Sequence, residues 1–165
     1  MGKIYSYFSY PSSYEYILRI IEIVAPFLAA SYTSFYFVGS KKYTKALKEF
    51  MAIGVIPLSF LAAIRHMFFY GKTKYFELEG IGANLGVGIA GIIALCKNFN
   101  NNALGSIFIV YTVYAIINCL TWILYRKNNS EKYFMIISSI VIISMVMYYI
   151  YIAFDKETQI DDDDI

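Results

Sequence analysis

Seven side chains capable of acid-base or hydrogen-bonding chemistry interrupt stretches otherwise built from Leu, Ile, Val, Phe and Ala: Glu22, Arg65, His66, Glu77, Glu79, Asn84 and Asn118. An ionisable group inside an apolar span costs several kcal/mol, from about 2.5 upward, so each must find a partner or water. Arg65 and His66 close one apolar segment, and Glu77 and Glu79 open the next across a short loop. One boundary therefore carries two bases and two acids, and the simplest arrangement is a clasp of Arg65 with Glu77 or Glu79. The functional arrangement is a hydrated pocket in which Glu79 or Glu77, with His66 and Asn84, binds a polar headgroup, an ion or a proton. Glu77 and Asn84 lie two helical turns apart and share a face. Asn118 can reach the same interior from a later segment. Glu22 follows Glu15 and Arg19 on one helical face, so it is expected either to pair with Arg19 or to form a second wall of that pocket.

No nucleophile stands out. There is no G-x-S-x-G, no HExxH and no phosphate loop, so the chain does not read as an enzyme. His66 is the single histidine, which excludes a multi-histidine metal centre. Cys96 and Cys119 match no zinc or redox spacing, and Met135, Met145 and Met147 read as apolar filling. No metal and no cofactor is expected. The net charge of +2 is small, and its basic residues sit between apolar runs; that pattern is a topology signal rather than a nucleic-acid footprint.

The elements that must carry these groups follow from composition. Of 165 residues, 59% are apolar and 19% aromatic, with 17 Tyr and 13 Phe; ordinary soluble domains reach roughly 45–50% apolar. The expected fold is an all-α integral membrane bundle of five transmembrane helices over 14–38, 50–70, 77–96, 103–125 and 133–154. A Tyr- and Ser-rich interfacial arm (1–13) precedes the bundle, and an acidic solvated tail (155–165) follows it. The bilayer is the expected partner, a prokaryotic cell membrane the expected location, and a homo-oligomer stays open. Lys41, Lys42, Lys45 and Lys48 form the densest basic cluster. Lys and Arg divide six against six if all five segments cross, and seven against five if the third dips in and returns, so four spans plus a re-entrant helix is the alternative.

The third segment is expected to be the centre. Gly82, Gly86, Ala90 and Ala94 recur every fourth residue, with Gly80, Asn84 and Gly88 in a row beside them, and small-residue ridges let helices approach closely in lipid. On the fourth segment Tyr111, Tyr114, Asn118 and Thr121 fall near one stripe.

Phe76-Glu77-Leu78-Glu79, then Ala83-Asn84-Leu85 and Gly86, Gly88 and Gly91, preceded by His66-Met67-Phe68-Phe69, resembles the H-x-F-F and F-x-x-E-x-x-x-A-N-L-x-x-G pattern of a family of small bacterial and archaeal membrane proteins with no assigned function. Glu77 stands where that family usually has Gln, and Ile81 where Gly is common. In size and helix count the chain is remotely similar to DoxX-like proteins, some of which associate with membrane quinone chemistry. The resemblance implies His66, Glu79 and Asn84 as the shared positions. Together these readings point to transport of a small solute, ion or proton, or to ligand binding within the membrane. A quinone- or redox-associated subunit and a structural assembly module are the alternatives.

Overall fold

In the structure, a computed structural model, residues 13–69, 74–125 and 129–155 are described. The expected arm up to residue 12, the loops 70–73 and 126–128 and the tail from 156 lie outside them. Regular structure among the described residues is all helical: α1 (Ser13–Thr33), α2 (Tyr43–Phe50), α3 (Ile56–Phe69), α4 (Lys74–Cys96), α5 (Asn101–Tyr125) and α6 (Asn129–Asp155). A π-helical turn, Ser34–Val38, extends α1, and another, Met51–Val55, joins α2 to α3. The result is five rods, the first two covering 13–38 and 43–69. Three stretches, Ile20–Val38, Tyr43–Met67 and Glu79–Cys96, are long and apolar enough to cross a membrane.

The second rod starts at Tyr43 and not at Phe50. Its first turns are amphipathic: Ala46, Leu47 and Phe50 are buried while Lys45 is exposed. Lysines that read as a connection therefore ride on the outer face of a helix whose inner face joins the core. The Asn-rich turn is also built from specific residues. Asn98 adopts a left-handed conformation at φ 52°, which Asn tolerates better than most residues. Asn100 Oδ1 accepts a hydrogen bond from Ala103 N at 3.0 Å, capping the start of α5.

Centrality passes from the third rod to the second. Rod 43–69 packs against all four others: α1 lies on α2 and α3, α5 and α6 on α2, and α4 on α3. The Gly-rich α4 lies mainly along α3, with a lighter contact to α5, and leaves Ile89, Ile92 and Ile93 exposed. The reason is which small residues face inward. Asn84, Val87, Gly88, Gly91 and Ala94 make one buried stripe, whereas a Cβ at Gly82 or Gly86 would meet nothing within 4 Å. Of the ridge expected to pack, only Ala94 is buried and Ala90 is half-buried. The working contact is the neighbouring row. A Cβ on Gly88 would come within 3.0 Å of the Phe60 ring, and one on Gly91 within 2.8 Å of Ile56 Cγ1.

Contacts along α4 run in order from Gly80 against His66 to Gly88 against Phe60, Gly91 against Ile56, and finally the Lys48 ammonium on Asn98 Oδ1. The helix is unbroken and travels the length of the bundle antiparallel to rod 43–69.

The half of the bundle nearest the 39–42 turn is packed with aromatic rings. Phe50 and Tyr149 stack with centroids 4.0 Å apart and planes 9° apart, and Phe108 tilts against both. The buried Tyr149 hydroxyl is hydrogen-bonded to Thr33 Oγ1, which also donates to Ala29 O at 2.8 Å. A phenol can be buried this way because its polar tip is satisfied.

Gly91→Ala should destabilise the protein by about 1–3 kcal/mol, the range for overpacking a tight contact. Gly82→Ala should be neutral or stabilising by up to about 1 kcal/mol, because Ala is the better helix former. Unfolding in mixed detergent micelles reads both, and equal effects at the two sites would contradict the packing order described above.

Candidate functional site

The half of the bundle away from the aromatic core holds the polar groups. Arg65, on α3 four residues from its end, is the more deeply buried of an ion pair: Arg65 Nε donates to Glu22 Oε1 on α1 at 2.7 Å, with side chains 3% and 15% exposed. The partner shown lies on another helix: Arg65 pairs with Glu22, which reaches across from α1 to α3, while Glu79 is exposed and the expected pairings of Arg65 with Glu77 and of Glu22 with Arg19 fall on side chains outside the described residues. The cause is helix packing: α1 lies against α3, and that contact turns Glu22 inward toward a cation already enclosed. Pro26, fully buried four residues further on, has no N–H for the Glu22 carbonyl, so the backbone at this level is also left open for another donor.

A second node joins α4 to α5. Asn84 Nδ2 donates to Tyr114 Oη at 3.0 Å and to Gly80 O at 2.9 Å, and Tyr114 Oη donates to the same carbonyl at 3.3 Å. Gly80 makes this possible. A Cβ there would lie 3.2 Å from Tyr114 Oη and 3.7 Å from His66 Cε1, so the hydroxyl and the imidazole share space that only a missing side chain leaves free. His66, next to Arg65 on α3, lies against Gly80, the residue on which Tyr114 and Asn84 meet. The two nodes therefore form one polar cluster drawn from α1, α3, α4 and α5.

Of the residues singled out in the sequence, the fold brings together Glu22, Arg65, His66 and Asn84. Glu79 stands apart: it is exposed, and five residues from Asn84 it lies about 140° round the helix at 3.6 residues per turn. The side chains of Glu77 and Asn118 lie outside the described residues. Tyr111 and Tyr114 were legible as a polar stripe on the fourth segment but not as members of the site; their three-residue spacing, followed by Asn118 four residues later, was the available signal. Among the described residues no three of His, Cys, Asp and Glu converge as metal ligands would. Cys96 is exposed and Cys119 half-buried, and neither is in a disulfide.

Beside the cluster runs a groove of about 470 Å³ between α4 and α5. Ala83, Gly86 and Ala90 form one wall, and Val110, Val113 and Tyr114 part of the other. Gly86 and its small neighbours thus keep a surface open where the sequence had suggested a helix contact. The volume falls within the range of about 300–1,000 Å³ usual for small-molecule sites.

Arg65→Met alone should cost about 3–5 kcal/mol, because it leaves the Glu22 carboxylate buried without its partner. Arg65→Met combined with Glu22→Leu should recover most of that loss. A double-mutant cycle on unfolding free energy measures the coupling, and additive single effects would show that the two side chains act independently. Comparison of the chain with protein-family models, with curated proteins and with solved structures returned no match.

Proposed function

We propose that this chain is a multi-pass membrane protein whose five rods all cross the bilayer, and that it binds a small amphiphilic ligand from the lipid phase, with a prokaryotic cell membrane as its location. The observation that carries the reading is the adjacency of the Asn84–Tyr114–Gly80 node to an apolar groove. A ligand's polar head would exchange hydrogen bonds with Tyr114 and Asn84 while its hydrocarbon part lies along Gly86 and Ala90. Glu22 and Arg65 behind the node hold the four helices in register and supply a field for a polar or polarisable head.

Ligand binding is favoured over passage of an ion or proton through the bundle. A conducting path needs polar or hydrated lining on both sides of the midplane, and the half below the cluster is closed by the buried rings of Phe50, Phe108 and Tyr149. Membrane placement is supported by three helices of spanning length and apolarity, and by many large apolar side chains left exposed on every rod. Such a surface is stable against lipid but not against water.

An isoprenoid quinone is a second ligand class with a specific observation behind it: Tyr114 lines the apolar groove while its hydroxyl belongs to the polar node, and a phenol is suited to hydrogen-bonding a ring carbonyl. The remote likeness to DoxX-like proteins points the same way. Of the three motif positions in the sequence resemblance, His66 and Asn84 belong to the cluster.

Purified protein in detergent should be stabilised by decylubiquinone or by a fatty alcohol. At a hundred times Kd the gain is about 2.7 kcal/mol, or roughly 5–10 °C in Tm for a chain of this size. Gly86→Leu, which fills the groove at a position with free space, should abolish the shift without lowering the unliganded Tm. If no amphiphile moves Tm, or if Gly86→Leu leaves the shift intact, the groove is not the site.

A further inference from the structure

The end of the bundle opposite the polar cluster carries a concentration of positive charge that the ligand site does not use. Three parts of the chain meet there. The turn 39–42 leads from the first rod into α2. The turn 97–100 is tied to α2 by Lys48 on Asn98 Oδ1 and by Asn101 Nδ2 donating to Thr44 Oγ1 at 3.2 Å. The end of α6 arrives with Phe154 against Gly105. Lys41, Lys42, Lys45 and Lys97 are exposed at this end and Lys48 is half-buried. Among the described residues the carboxylates beside them are Glu49 and Asp155.

The lysines are held by structure. Lys41 sits in the left-handed region at φ 62°, with its amide donating to Val38 O at 2.9 Å and that of Lys42 to Phe37 O at 2.7 Å. This tight turn fixes the backbone from which two adjacent, exposed lysines project at the tip. Lys45 Nζ stands 5.3 Å from the centroid of the Phe37 ring, within cation–π range. Just inside the lysines, Tyr32, Phe35 and Tyr36 form an outward aromatic group, with Phe35 77% exposed and rings 5.0–5.2 Å apart. Aromatic side chains of this kind settle at the headgroup level of a bilayer, which places the ammonium groups one step further out, among the phosphates.

We propose that this lysine face binds the headgroups of anionic phospholipids and so selects the leaflet in which this end of the bundle sits. The inference rests on the membrane reading above. Neutral lipid supplies phosphate paired with a choline cation, whereas an anionic lipid offers net negative charge to lysines clustered at one end of the bundle; each lysine near such a surface adds to the attraction. The acidic segment Asp161–Asp164, only a few residues beyond Asp155, is the competing occupant that the test must separate.

The protein is reconstituted in mixed bilayers containing spin-labelled phosphatidylglycerol or spin-labelled phosphatidylcholine, and the motionally restricted fraction of each is measured. At low salt the restricted fraction should favour phosphatidylglycerol by about three-fold or more. The preference should fall toward one at 1 M salt, where screening acts over about 3 Å. It should also fall toward one in the combined Lys41→Gln, Lys42→Gln, Lys45→Gln variant, while Lys72→Gln with Lys74→Gln leaves it unchanged. Equal restriction of both lipids in the unmodified protein overturns the proposal, as does a preference that emerges only after residues 156–165 are deleted, because the acidic segment would then be the occupant. No restricted component for either lipid would instead overturn the membrane reading itself.

Discussion

The interior of this bundle is governed by one costly requirement: Arg65 is almost wholly removed from solvent and must keep a counter-charge. Water supplies none at that depth, and an uncompensated charge there costs several kcal/mol. Glu22 meets the requirement from another helix, which makes the pair a constraint on how α1 and α3 rotate and slide against each other. A register shift of one residue in either helix would turn its partner about 100° away. The remaining polar groups then gather where the register puts them. His66 follows Arg65 toward Gly80, Gly80 lets Tyr114 approach, and Asn84 completes the node one turn further along α4.

The same bundle divides its labour by height. One half is filled with stacked aromatic rings whose only polar tip, the Tyr149 hydroxyl, is satisfied by Thr33. The other half is polar inside and opens sideways to a groove. Rod 43–69 spans both halves, touching every other rod, and its π-helical turn at Met51–Val55 lies between them. A π turn shifts the faces of the helix on either side of it. The lysine-bearing amphipathic start and the Arg65-bearing end can thus each present the right face to different neighbours.

Glycine in α4 serves two opposed purposes. At Gly88 and Gly91 the missing Cβ allows close contact with Phe60 and Ile56; at Gly82 and Gly86 it leaves open space. Both uses lower helix propensity by about 1 kcal/mol per residue relative to Ala, and the loss is offset by packing only in the first case. In the second the open surface is retained, and at Gly86 it forms part of the groove that Tyr114 also lines.

Local chemistry made much of this readable in advance. Apolar run length set five helices in the right order, and the burial cost of charge singled out Glu22, Arg65, His66 and Asn84 as residues needing partners. These are properties of a segment and its solvent, so the amino-acid string determines them. Which partner each residue meets is a different matter. Glu22 stands 43 residues from Arg65 in the chain, and the glycine row that packs differs from the adjacent one by only a small rotation of α4. Hydrophobic periodicity does not resolve such a rotation when every face of a helix is apolar, as these are. Only the assembled bundle, by placing α1 against α3 and α4 against α3 and α5, decided that Glu22 turns inward, that Glu79 turns outward, and that the second rod is the centre.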